Sequence, residues 1–199
     1  MMKKTLFATL TMAVFVSATA YAASEASAVT GGDFGGGTIN FSGSVTEAPC
    51  SIAPGDDNQN IKLGQVSQKL LKTAGGTGSK IVPVTIHLQS CDMTADAASK
   101  TYTKAHVEFT GAGIDMTNAA KGYLLNSGSA KNVSVQLTDL AGAGINMSTT
   151  TSPNGTKDVD LTSGDGNVLQ FGAHMVNSGT DAATPGSVIA IVTYKLKYS

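Results

Sequence analysis

The chain has no arginine and no tryptophan, only two cysteines and only three histidines among 199 residues. All thirteen basic residues are therefore lysine. A guanidinium is the usual bidentate reader of phosphate and guanine, so its absence argues against nucleic-acid binding. Without tryptophan there is no indole face to stack on a sugar ring, which disfavours a lectin. His87, His106 and His174 show no H-x-x-x-H spacing and read as surface or half-buried side chains rather than metal ligands. No serine sits in a G-x-S-x-G elbow. The glycine-rich stretch 75–80 lacks the Gly-Lys-Ser/Thr order of a phosphate loop and reads as a turn. Asp56, Asn58 and Asn60 follow the first ligand positions of a calcium loop, but Ile61 and Ser67 stand where glycine and glutamate are needed. The expectation is no catalytic constellation, no metal and no cofactor.

Long apolar runs are also scarce. The one at 5–18 follows Lys3 and Lys4 and precedes Ala20-Tyr21-Ala22, the small-x-small pattern of a cleaved export signal. It is too short for a membrane span of roughly 20 residues; the alternative is a short buried helix. Residues 1–22 are thus expected to be a signal peptide, with 23/24 as a less favoured junction. Their removal leaves 177 residues and moves the net charge from −1 to −3, because two lysines go with them. That length suits one domain with a sizeable core. Export implies an oxidising compartment, so Cys50 and Cys91 are expected to form a disulfide.

What the chain has in quantity is glycine and alternation. Five glycines fall between 31 and 37, after small polar residues, and read as a flexible leader. Residues 38–45 then alternate strictly, with Ile39, Phe41, Gly43 and Val45 on one face. Val82, Val84, Ile86 and Leu88 repeat the pattern, and shorter apolar groups follow at 105–109, 133–137 and 168–171. The chain closes on 187–199, where Val192, Tyr194, Leu196 and Tyr198 share a face. Gly, Asn, Asp and Ser clusters separate these runs, and only 65–72 weakly suggests a helix. Many short strands with such turns predict an antiparallel β-sandwich. One echo, Gly-Ala-Gly-Ile-Asp-Met at 111–116 against Gly-Ala-Gly-Ile-Asn-Met at 142–147, reads as two similar strand exits rather than a repeat array.

The two ends belong together. A hydrophobic alternating segment on a glycine tether is a strand to lend, and a chain that also leaves a sheet edge to fill can join head to tail. At this point the chain resembles the type 1-like chaperone–usher pilins. Residues 37–45 followed by Ala48-Pro49-Cys50-Ser51-Ile52 are similar to that family's N-terminal signature, and Leu63-Gly64-Gln65 to the motif after it. The segments 86–91 and 131–137, the penultimate Tyr198 and Gly186, fourteenth from the end, also match.

The resemblance implies an all-β, incomplete immunoglobulin-like antiparallel sandwich, missing its last strand and completed by donor-strand exchange. It implies 1–22 as signal peptide, 23–45 as an N-terminal extension with the donor strand, and 46–199 as the pilin domain. Ile39, Phe41, Gly43 and Val45 would enter a neighbour's groove; an ordinary strand pairing in cis is the alternative. Gly186, Val192, Tyr194, Leu196, Tyr198 and Ser199 would form the groove and chaperone-contact strand, with the Ser199 carboxylate gripped by a periplasmic chaperone. The partners implied are other copies of the chain, that chaperone, an outer-membrane usher and a tip adhesin, with no nucleic acid. The function implied is a structural subunit of a surface fimbria, exported through the periplasm to support adhesion. Alternatives are a minor adaptor, a carbohydrate-binding adhesin or, more remotely, an exported hydrolase.

Overall fold

A computed structural model describes residues 36–75, 78–148 and 154–199. The expected signal peptide at 1–22 and most of the glycine leader lie outside the described residues. The chain divides into two units, 1–45 and 46–199.

In the first unit the described residues 36–45 carry no regular secondary structure. Ile39, Phe41 and Val45 are 77 %, 90 % and 101 % exposed, values at which their alternation serves no burial. The strand expected at 38–45 has no strand partner among the described residues.

The second unit is two antiparallel sheets. Among the described residues eight strands form in chain order: β1 Ser51–Ile52, β2 Val82–Gln89, β3 Lys104–Thr110, β4 Tyr123–Leu124, β5 Val133–Thr138, β6 Val159–Asp160, β7 Asn167–Asn177 and β8 Thr193–Tyr198. The larger sheet has the order β1-β2-β7-β5-β4 and the smaller β6-β3-β8. In β2 the alternation works as expected: Val84, Ile86 and Leu88 are buried while Thr85, His87 and Gln89 face outward. Ala105, Val107 and Phe109 do the same from β3. Phe109 and Phe171 meet edge to face at 5.1 Å between ring centroids and join the two sheets at mid-core.

The central strand β7 is longer than its short apolar group suggests and is buried on both faces from Phe171 onward. Its outer face is covered by residues that precede β2, among them Leu71 and Ser79. Ser79 exchanges backbone and side-chain hydrogen bonds with Met175, and Asn177 donates through its amide to the carbonyl of Leu71 at 2.7 Å. His174 lies under this cover at 7 % exposure, which corrects the expectation of a surface or half-buried ring. Its ring nitrogens face the Ser79 carbonyl at 3.1 Å and the Gln136 side-chain oxygen at 2.9 Å.

Cys50 and Cys91 are bonded, with Cα atoms 4.1 Å apart. They pin the entry to β1 against the exit from β2. The weak helical signal at 65–72 becomes one 3₁₀ turn, Gln68–Leu70, with Ser67 accepting from the Lys69 amide. The two Gly-Ala-Gly echoes both leave a strand through a bridge, Ile114 to Leu124 and Thr138 to Gly144.

Candidate strand-accepting groove

The chain's last stretch is the origin of the site. From Val188 to Tyr198 burial alternates without a break, even-numbered residues half-buried and odd-numbered ones exposed. Only Thr193–Tyr198 is paired as a strand, to β3. Ser199 exchanges hydrogen bonds with Lys104, so the register turns the N–H and C=O groups of Thr193, Lys195 and Lys197 toward β3. Upstream the same parity holds. Ser187 and Ile189 spend their backbone groups on 126–130, through Ser127, Ala130, Asn126 and Ser129. The backbone groups of Val188, Ala190, Val192, Tyr194, Leu196 and Tyr198 then point to the other side, where β8 is the edge of its sheet. That edge has no strand partner among the described residues.

Beside the edge runs a groove of about 1270 Å³. One rim is 185–192 with Tyr194, and the other is 57–66, which forms no strand. Its floor is the inner face of the larger sheet, including Val84, Ile86, Val135, Phe171 and Ala173. An apolar floor flanked by an unpaired backbone edge offers both halves of what an inserted strand requires.

The second rim is anchored from its foot. Asp56 accepts from the His87 amide at 2.7 Å, from His87 Nδ1 at 2.8 Å and from the Gln59 side-chain amide at 3.0 Å. Gln59 also donates to the Thr85 carbonyl at 2.6 Å, so two side chains tie the rim to β2. Burial works to raise the Asp56 carboxyl, but the His87 hydrogen bonds and charge together with Gln59 hold it below the usual range. Tyr194 spans the distance between the rims: its hydroxyl donates to the Asp56 carbonyl at 2.9 Å. Burial first, then the nearby Asp56 and Asp57 charges and Tyr198, push the Tyr194 phenol up to about 12. It stays a donor throughout the physiological range.

The expected site residues separate into three places. Gly186, Val192 and Tyr194 line the groove. Leu196 and Tyr198 lie past its end and pack on the core, Tyr198 edge to face with Tyr102. Ser199 accepts from the amides of Thr103 and Lys104. A Cβ at Gly186 would stand 2.5 Å from the Ala130 nitrogen, so glycine there lets 185–187 pass close to the neighbouring backbone. Missing from the sequence reading were Val188 and Ala190, which share the parity of Val192 and were legible by it. Asp56, Gln59 and His87 had no such signal, since their contacts span up to 31 residues.

Fold and groove together define a class: an antiparallel sandwich one strand short, built to accept a strand from elsewhere. The comparisons agree with it. The family model described as "Fimbrial protein" matches residues 39–199. The chain is 36% identical over 166 residues to the "Major MR/P fimbria protein" of Proteus mirabilis (strain HI4320), covering 83% of this chain and 86% of that one. It is 34% identical over 196 residues to the "Type-1 fimbrial protein, A chain" of Escherichia coli (strain K12), covering 94% and 97%. Among solved structures, a chaperone–usher pilus subunit superposes with a TM-score of 0.65 at 27% identity, over 84% of this chain and 98% of that one. The P pilus rod subunit PapA shares the fold, with a TM-score of 0.60 at 24% identity over 76% and 100%. The chain belongs to the fimbrial protein family: it is a structural pilin of the chaperone–usher class with an immunoglobulin-like sandwich.

Proposed function

We propose that each copy of the chain lends 39–45 to the groove of the next, so that Ile39, Phe41, Gly43 and Val45 complete a neighbour's sandwich and the copies form a surface fimbria. In this reading 1–22 is removed on export, 23–45 is the lending extension and 46–199 is the accepting body. A periplasmic chaperone covers the β8 edge before assembly and engages the Ser199 carboxylate. An outer-membrane usher exchanges it for the next copy, and a tip adhesin starts the series. The chain acts as a building element and not as an enzyme.

One observation carries the reading: the same chain has an exposed alternating segment and, beside its last strand, an apolar groove with an open backbone edge. Burying Ile39, Phe41 and Val45 contributes about 1.5–3 kcal/mol each before ordering costs. Each ladder hydrogen bond adds about 0.5–1.5 kcal/mol. A synthetic peptide covering 37–45 should raise the melting temperature of the isolated subunit in a dose-dependent way, since a ligand of the native state stabilises by mass action. A subunit whose melting ignores saturating peptide would refute the proposal.

A further inference from the structure

The hydrogen bond between Tyr194 and Asp56 has a consequence for how far a strand can enter. The groove's lining on the β8 side stops at Tyr194, although the open backbone edge continues through Leu196 and Tyr198. At that point the Tyr194 side chain crosses from one rim to the foot of the other and is held there by the Asp56 carbonyl. The Asp56 carboxylate accepts two hydrogen bonds from His87 of β2 and a third from Gln59, so the far anchor does not yield easily. A strand lying along the β8 edge passes beside this tyrosine, and an inward-facing side chain there would meet the ring.

The strand to be lent meets that requirement in one register. Every strand pair among the described residues is antiparallel, and an antiparallel guest brings its N-terminal end to the Tyr194 end of the groove. Inward positions of the guest are 37, 39, 41, 43 and 45; those of the rim are 186, 188, 190, 192 and 194. Aligned in order, Gly37 falls at Tyr194, Ile39 at Val192, Phe41 at Ala190, Gly43 at Val188 and Val45 at Gly186. The bulkiest guest residue then meets alanine, and each glycine faces a larger side chain. Slipping by two residues would set Phe41 against Val192 and Gly43 against Ala190, crowding one level and leaving a void at the next. Nothing in the chain's own structure calls for glycine at 37: a Cβ there would meet nothing within 4 Å, and its φ lies outside the left-handed region.

We infer that the Tyr194–Asp56 hydrogen bond is a strap that ends the groove and sets the register of the inserted strand, with Gly37 as the residue that passes beneath it. The inference rests on the proposed exchange of 39–45 between copies. Tyr194 and Asp56 are positioning residues, and the specificity they impose is for a guest with no side chain two places before its first large apolar residue.

The test is assembly of the full chain with its chaperone and usher, comparing Gly37→Val, Tyr194→Phe and the double variant. Tyr194→Phe keeps the ring and removes the tether, so the ring can swing aside. Gly37→Val should slow assembly about tenfold, and adding Tyr194→Phe should restore it to within about threefold of the parent. A double variant as slow as Gly37→Val, or a Gly37→Val chain that assembles normally, overturns the strap. Phe41→Asp serves as the separate control. If it too assembles normally, the exchange of 39–45 is wrong; if it blocks assembly while the other pair shows no coupling, only the strap is wrong. Should Tyr194→Phe fail to accumulate, 37–45 peptides on the parent subunit decide the matter. Affinity should fall stepwise from Gly37 to Ala to Val to Leu and stay level for Thr38→Val, and a flat series at 37 overturns the strap.

Discussion

Replacing Gly43 by asparagine tests the one member of the Ile39, Phe41, Gly43 and Val45 face that lacks a side chain. In the chain itself the change is harmless, because a Cβ at Gly43 would meet nothing within 4 Å. In the proposed inserted strand the new side chain would point at Val188 and the apolar floor that includes Val135 and Phe171. Forcing atoms into a packed site costs about 1–3 kcal/mol. Burying an amide with no partner adds about 1–3 kcal/mol. The sum of about 2–6 kcal/mol corresponds to a loss of donor affinity between about 30-fold and more than 10⁴-fold. Ser42 faces the opposite side of the same strand, so Ser42→Asn should change affinity by less than about fivefold. The assay is fibre yield for both variants, with chaperone pull-down to show that each subunit still folds. Normal fibres from Gly43→Asn would refute both the alternation and the register. So would a Ser42→Asn chain that fails equally.

Other expectations follow from the body of the subunit. Replacing both cysteines by serine opens a link between positions 41 apart and should destabilise the subunit by about 3–4 kcal/mol, read by urea titration against the parent. Gly186→Ala should lower the melting temperature, because the Cβ would press on the Ala130 backbone and the Ser129 hydroxyl, while Gly43→Ala should leave it unchanged. The Asp56 carboxyl is held below its ordinary value, so its contribution is complete above about pH 4 and is lost as pH falls through the lower folded value. Asp56→Asn should accordingly reduce stability at neutral pH and flatten the decline below pH 4; an unaltered acid limb would show that Asp56 is not the group responsible.

Much of this molecule was legible before its structure, and for identifiable reasons. Strand β2 and the last strand alternate because each has one face on the core, and period two survives in sequence wherever only one face is buried. The export signal and a lone pair of cysteines were enough to expect the disulfide. The length of β7 was not legible, since burial on both faces removes the alternation. His174 was misjudged for the same reason: its ring lies under Ser79, from the segment before β2, a cover no local pattern announces. The groove's second rim was unreadable, because 57–66 forms no strand and is placed by side-chain bonds to β2. The strap joins residues 138 apart, a pairing that only the folded chain makes visible.

The central claim is that the open edge along 186–194, which leads into β8, receives 39–45 of another subunit. Amide hydrogen exchange on the subunit with and without the 37–45 peptide tests it residue by residue. Lys195 and Lys197 pair with β3 and should exchange slowly in both samples. Val188, Ala190 and Val192 face the open edge and should exchange fast alone and become protected by peptide in alternation along the strand. Protection appearing elsewhere, or no change at these three amides when peptide is bound, would contradict the account.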